Sequence, residues 1–253
     1  AFGKIEANVE EAVKKILSLG TDLVVLPELF STGYQFKSRA EALKLSEDAK
    51  SGYASVRLAQ TAKKTRCHIV AGIAEKAGGR VYNSAILIGP KGFIAVYRKA
   101  HLFWNEKKIF SPGNTPFEVC DIGRARVGMM ICFDWIFPEA ARTLALKGAD
   151  IIAQPSNLVL PYCPAAMITR SIENRVFSIT ANRVGTEERI KGNRLKFIGR
   201  SQIVSPTGEC LVRAGRSKTA ACVAEIDVRQ ARNKKITPVN DLFKDRRRGM
   251  YEG

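Results

Sequence analysis

Glu28, Lys99 and Cys132 each close a short apolar run. Leu23-Val24-Val25-Leu26-Pro27 precedes the glutamate, Val96-Tyr97-Arg98 the lysine, and Val127-Gly128-Met129-Met130-Ile131 the cysteine. Such runs read as strands buried on both faces. In open α/β sheets, side chains at the carboxyl ends of neighbouring strands gather in one place. A carboxylate, an ammonium and a thiol meeting there supply a base, an oxyanion stabiliser and a nucleophile. Burial raises a carboxylate toward neutrality and makes it a usable base for a thiol of pKa ~8.5, although a nearby ammonium opposes that shift. Histidine is the rival base. His101 follows Lys99 by two, so on a strand both point to one face. On residue types alone a Cys132–His101 dyad stands level with Cys132–Glu28. Each residue also has a plainer reading: Glu28 as a helix cap, Lys99 as a solvated strand end, Cys132 as a small buried hydrophobe.

The elements that must position these groups follow from periodicity and punctuation. Residues 8–19 form an amphipathic helix with Val9, Ala12, Val13, Ile16 and Leu17 on one face, a capping-box-like start at Asn8 and Glu11, and Gly20 as its stop. Residues 54–64 are helical, and 68–73 form a buried strand that places His68 in the core. Gly78-Gly79 and Gly89-Pro90-Lys91-Gly92 join it to strands 81–88 and 93–99 through hairpin-like turns, which makes the sheet mixed. Cys132 then stands at a strand end just before a helix opened by Pro138 and stopped by Gly148. Further on come a strand at 150–153, a helix at 165–176, a strand at 177–184 and a polar loop at 185–193. A hairpin of 201–205 with 210–213, a strand at 221–226 and a short helix capped by Asp227 complete the order. Strands and helices alternate without a linker or repeat, so 1–253 reads as a single α/β domain. No strand precedes the first helix, so the first N-terminal strand of such an arrangement is absent from this chain.

The 253 residues are 45% hydrophobic, enough for a substantial core. No apolar run approaches the ~20 residues of a membrane span, and no signal peptide opens the chain. No membrane partner is expected. Cys67, Cys120, Cys132, Cys163, Cys210 and Cys222 are scattered, without a C-x-x-C pair and with only two histidines. That pattern suggests neither zinc nor a disulfide framework, and points to a reduced, cytoplasmic protein without a metal. Forty-one Lys and Arg against 24 Asp and Glu give +17. The field could attract nucleic acid, anionic lipid or acidic substrates. The basic residues are dispersed, however, with one tight cluster at Arg246-Arg247-Arg248 and no interleaved aromatics. A solvated basic surface, with no nucleic-acid partner, is the better reading.

Leu26-Pro27-Glu28-Leu29-Phe30-Ser31-Thr32-Gly33-Tyr34, Tyr97-Arg98-Lys99-Ala100-His101-Leu102 and Gly128-Met129-Met130-Ile131-Cys132-Phe133-Asp134-Trp135 resemble the three signature blocks of the nitrilase superfamily of carbon–nitrogen hydrolases, in the same order. Glu106 with Phe110-Ser111-Pro112-Gly113, then Ser171-Ile172-Glu173-Asn174-Arg175, then Asp241-Leu242-Phe243-Lys244-Asp245-Arg246-Arg247 extend the likeness over essentially the whole chain. Within the superfamily the blocks look most like those of small thermophilic archaeal nitrilases.

The resemblance implies an αββα sandwich with mixed sheets and a Glu–Lys–Cys triad. Cys132 would be the nucleophile and Glu28 its base. Lys99, with the backbone N–H of Phe133, would hold the developing negative charge, and Glu106 would orient Lys99 and the substrate amine. His101 then becomes a structural histidine. Tyr34, Trp135 and Asn157, with Phe137, would neighbour the pocket, and Cys163 would lie near its mouth without a role. The implied reaction is cofactor-free hydrolysis of a small aliphatic nitrile or amide, through a thioester or thioimidate, to ammonia and a carboxylic acid. An N-carbamoyl amidohydrolase is the alternative within the enzymes, and a non-catalytic binding protein of the same fold the alternative outside them. Phe103, Trp104 and Phe110, in the short stretch between His101 and Pro112, suggest a compact apolar pocket. A homodimer or higher even oligomer is expected through helix 165–176 and the tail from Ile236.

Overall fold

The computed structural model describes residues 1–251 of the chain. Helix α1 (Ile5–Leu17) buries Val9, Val13 and Ile16 along one face. The short strand β1 (Leu23–Val25) follows, then helices α2 (Arg39–Leu45) and α3 (Tyr53–Thr65) and three longer strands, β2 (His68–Ala77), β3 (Arg80–Gly89) and β4 (Gly92–Arg98). β1 runs parallel to β2, and β2, β3 and β4 form an antiparallel meander, in the order β1-β2-β3-β4. Ile69, Ala71 and Ile73 of β2, with Ile86 and Ile88 of β3, cluster with Val13, Leu58 and Ala62 of α1 and α3. Val70, Ala85 and Leu87 join the core shared with the second sheet. This period-two alternation, apolar on both faces, is why these strands read as unbroken apolar runs.

After the short helix α4 (Glu106–Ile109) the chain builds the second sheet from β5 (Val119–Asp121) and β6 (Arg126–Met129). A 3-10 turn over Cys132–Ile136 leads into helix α5 (Pro138–Leu146), then β7 (Ile151–Ser156), helix α6 (Cys163–Asn174) and β8 (Phe177–Asn182). A two-stranded ladder of β9 (Val184–Glu187) and β10 (Leu195–Ile198) precedes β11 (Gln202–Val204), β12 (Cys210–Arg213) and helix α7 (Arg229–Arg232). The sheet order is β12-β11-β8-β7-β6-β5, parallel through β6, β7 and β8 and antiparallel at both sides. Helices α5 and α6 pack against it, while β7 and β8 face β1 and β2 of the first sheet. The layers are therefore helix, mixed sheet, mixed sheet, helix.

Several local expectations are corrected. Helix α1 starts a turn before residue 8, with Lys4 in the cap position. Asn8 does not cap it; its amide donates to Ala1 O and Ser31 O, both at 2.7 Å, and ties the helix to the loop after Glu28. Helix α2 is an addition to the expected order, although Ser38 Oγ accepts the Glu41 N–H at 3.2 Å in a recognisable N-terminal cap. Helix α6 spans Cys163–Asn174 rather than 165–176, because Arg175 turns left-handed at φ 49°. The strand expected at 177–184 breaks at Arg183, and part of the loop expected at 185–193 is β9. His68 is half-buried at the start of β2 rather than a core residue.

Residues 221–226, expected as a strand, carry no strand pairing. They line a cavity of about 950 Å³ together with Leu23 and Val25 of β1, Ile16 of α1 and Ala1. β1 pairs on one side only, with β2. A strand exists through its ladder partners, and across this gap neither the β1 edge nor 221–226 has one among the described residues.

Candidate active site

Three strand exits converge between the two sheets. Lys99 Nζ, fully buried, lies 2.7 Å from Glu28 Oε1 and 2.9 and 2.8 Å from the two oxygens of Glu106. Glu106 also accepts the Tyr34 O–H at 2.6 Å and the Phe103 N–H at 3.1 Å. Glu28 Oε1 accepts a second bond from Asn83 Nδ2 at 2.7 Å, whereas its Oε2 is buried with no partner among the described residues. The backbone is packed tightly around this group. A Cβ at Gly72 would fall 2.5 Å from Glu28 Cα, and one at Gly113 would fall 2.1 Å from Arg98 O. Only glycine permits that approach at either position.

Cys132 is buried and takes φ 41°, a left-handed conformation that costs a non-glycine residue about 1–3 kcal/mol. Its carbonyl accepts Gln154 Nε2 at 3.0 Å. Burial, then the Glu28 carboxylate, push the thiol well above its ordinary pKa, against the pull of Lys99. Burial alone would lower Lys99, but the carboxylates of Glu106 and Glu28 outweigh it and hold the ammonium above its usual value. Burial raises Glu106, with Lys99 opposing, and burial with Glu106 raises Tyr34. The site therefore sets a thiol raised by burial beside an ammonium that bonds to both Glu28 and Glu106. Breaking a buried pair of this kind costs about 3–5 kcal/mol. An exposed pair such as Arg124–Asp22 at 3.0 Å is worth about 0–1 kcal/mol.

Glu28, Lys99, Glu106 and Cys132 are thus brought together. Tyr34 sits on Glu106, and Asn157 Nδ2 donates to the Glu28 carbonyl at 2.7 Å. The Phe133 ring lies against Phe103 at 5.0 Å and Phe137 at 5.7 Å, forming an aromatic wall beside Cys132. Trp135 belongs instead to the core, where its carbonyl accepts Arg170 Nε at 3.2 Å. His101 pairs through Nδ1 with Asp134 Oδ1 at 2.8 Å and stacks on Phe137 at 3.7 Å. Cys163 is buried against Gln154, not at a pocket mouth.

The short stretch after His101 is only partly the apolar lining expected of it. Phe110 packs on Phe36 at 5.5 Å and Trp104 is 57% exposed, so of the three aromatics Phe103 alone faces Phe133. The space beside Tyr34, Trp104, Glu106 and Ile190 measures about 30 Å³, room for a water-sized guest.

Asn83, Gln154 and Asp134 hydrogen-bond to the Glu28 carboxylate, the Cys132 carbonyl and the Ile131 N–H, and the sequence patterns do not single them out. The available signal is a polar residue inside an otherwise apolar stretch buried on both faces, which must find a partner. No cluster of three or more His, Cys, Asp or Glu side chains suited to a metal ion occurs among the described residues.

The pattern of the carbon-nitrogen hydrolase family matches residues 1–235, and the chain belongs to that family. It is 51% identical over 250 residues to a nitrilase of Pyrococcus abyssi, covering 99% of this chain and 92% of that one. It is 36% identical over 230 residues to an (R)-stereoselective amidase of Pseudomonas sp., covering 90% and 80% respectively. The fold superposes with a TM-score of 0.85 on the crystal structure of a carbon-nitrogen hydrolase from Helicobacter pylori G27, at 28% identity over 99% of this chain and 94% of that one.

Proposed function

We propose that this chain hydrolyses the carbon–nitrogen bond of a small aliphatic nitrile or amide through a covalent adduct on Cys132. The observation that carries the reading is the buried thiol beside one ammonium held between Glu28 and Glu106. Glu28, with one oxygen unpartnered, takes the thiol proton as sulfur attacks the substrate carbon. The electron pair displaced onto oxygen or nitrogen is held by Lys99 and the Phe133 N–H. Glu28 returns the proton to departing ammonia, leaving a thioester. It then takes a proton from water, which attacks the thioester, releases the acid and restores the thiol. A nitrile passes first through a thioimidate, which adds water before ammonia leaves. Glu106, fixed by Tyr34 and Phe103, holds Lys99 in place and orients the substrate amine.

Phe103 and Phe133 form an apolar wall, and Tyr34 crowds the polar end. Dinitriles or amides of a few carbons are therefore hydrolysed faster than aromatic or N-carbamoyl amino-acid substrates. The test is ammonia release across nitriles, amides and carbamoyl compounds with Cys132→Ala as control. Intact mass with a slow substrate should show an acyl adduct that maps to Cys132. An adduct on another cysteine, or a preference for N-carbamoyl amino acids, would overturn the reading.

The same reading includes a C2 homodimer through α6 and the tail. Ile172 is 44% exposed on α6, and Ile236 and Val239 are exposed beyond it, at 53% and 86%. A monomer by light scattering at micromolar concentration would sink that part. All six cysteines are unpaired, which supports action in a reducing compartment, the cytoplasm. No helix among the described residues is long and apolar enough to cross a membrane.

A further inference from the structure

We propose that Asp134 is a positioning residue that sets the spacing between the Cys132 thiol and the Lys99 ammonium, and this rests on the roles given above to those two groups. Asp134 is completely buried, between the half-buried Phe133 and the buried Trp135, two residues after the strained cysteine. Its carboxylate has four partners. Oδ2 accepts the Ile131 N–H and the Tyr97 O–H, each at 2.8 Å. Oδ1 accepts the His101 N–H at 3.2 Å and pairs with His101 Nδ1 at 2.8 Å.

These partners come from two different chain segments. Ile131 is the residue before Cys132, so its bond to Asp134, with the Asp134 N–H on Ile131 O at 3.0 Å, closes the turn that forces Cys132 to φ 41°. Tyr97 and His101 lie two residues before and two after Lys99. The Tyr97 hydroxyl, besides donating to Asp134, accepts the Ala100 N–H at 3.1 Å. The stretch carrying Lys99 is therefore wrapped around the same carboxylate that locks the cysteine turn. The Phe137 ring, 3.7 Å from the His101 ring, keeps the imidazole in place. One side chain joins the two segments whose separation decides how strongly the ammonium acts on the sulfur.

An amide in place of this carboxylate cannot reproduce the arrangement. If its oxygen keeps Ile131 N–H and Tyr97 O–H, its NH2 meets the backbone N–H of His101. If its oxygen keeps His101, its NH2 meets the backbone N–H of Ile131. Either orientation sets donor against donor at one segment and frees it from the other.

The experiment uses Asp134→Asn, Tyr97→Phe and the double variant of the full chain. Iodoacetamide alkylation of Cys132 is followed by peptide mapping across pH, and ammonia release gives kcat and KM. Asp134→Asn is expected to slow alkylation roughly tenfold at neutral pH and move its profile up by about one unit. It should lower kcat about 10²-fold with KM within about threefold. Tyr97→Phe should move both readings in the same direction, and should add little once Asp134→Asn is already present, because the two act through one contact. Alkylation and kcat at wild-type values, with only a lower melting temperature, would show Asp134 to be a packing residue and overturn the proposal. So would effects of the two substitutions that multiply independently. If Asp134→Asn does not fold by circular dichroism, Tyr97→Phe decides alone, and unchanged alkylation and kcat overturn it. Wild-type protein that releases no ammonia from any substrate, while alkylation responds as described, would sink the hydrolase reading and leave this one standing.

Discussion

Lys99 Nζ holds one oxygen of Glu28 at 2.7 Å and leaves the other buried with no partner. A carboxylate oxygen stripped of water and unbonded is costly, and native structures keep few such atoms. The asymmetry suits the proposed base. One oxygen is pinned by Lys99 and Asn83, so the side chain cannot turn, and the other is left to accept a proton.

Glu28→Gln therefore separates chemistry from architecture. The amide oxygen can still accept from Lys99 and Asn83, so the melting temperature should change little, but the group cannot take the thiol proton. Turnover should fall ~10²–10⁴-fold. His101→Ala keeps the backbone N–H that Asp134 accepts, and should retain a substantial rate. Ammonia release from both variants decides: an inactive His101→Ala beside a working Glu28→Gln would reverse the assignment of the base.

Lys99→Met should harm both rate and stability. It strands two buried carboxylates that now share one cation. The expected loss is about 3–5 kcal/mol in urea unfolding, with kcat lowered ~10²–10³-fold. Adding Glu106→Gln removes one stranded charge and should recover part of the stability but none of the rate. Unfolding curves of the single and double variants check it.

Glu28, Lys99 and Cys132 are legible because each closes an apolar run and the surrounding blocks match a known superfamily. What tethers them is not. Asn83, Gln154 and Asp134 act on residues of other elements, and a local pattern carries no trace of a partner remote in sequence. Asn8 illustrates the opposite error. It has the residue type of a cap and lies three residues before Glu11, but the helix-forming Ile5-Glu6-Ala7 extends the helix past it and its amide reaches the loop at Ser31. The alternation of β2 and β3 is readable as burial, but not which face meets helices and which meets the second sheet.

A pH dependence is expected far from the site. Lys234 Nζ donates to the Asn174 and Arg175 carbonyls at 3.0 and 2.8 Å, and burial lowers its pKa to about 8. The unfolded chain keeps the ordinary lysine value of 10.5, so between about pH 8 and 10.5 it binds more protons than the fold. Stability contributed by this group should then rise with pH across that window. Urea midpoints measured through it should lose that rising component in Lys234→Met.

The gap beside β1 gives a prediction about folding. An extended apolar strand of about six residues, joined in front of Ala1, can reach the free edge, because Ala1 itself lines the cavity. Such a version should unfold at a higher temperature and protect the amides of 23–25 and 221–226 from hydrogen exchange. Equal melting temperatures and equal exchange would show that the edge does not accept a strand.

The same edge makes the molecule's solution behaviour depend on salt. Among the described residues the outer flank of β1 has no ladder partner, and the +17 charge opposes the approach of another chain to it. Screening shortens the reach of that repulsion from about 8 Å at physiological ionic strength to about 3 Å at 1 M. Concentrated salt therefore weakens the repulsion that opposes contact at this edge.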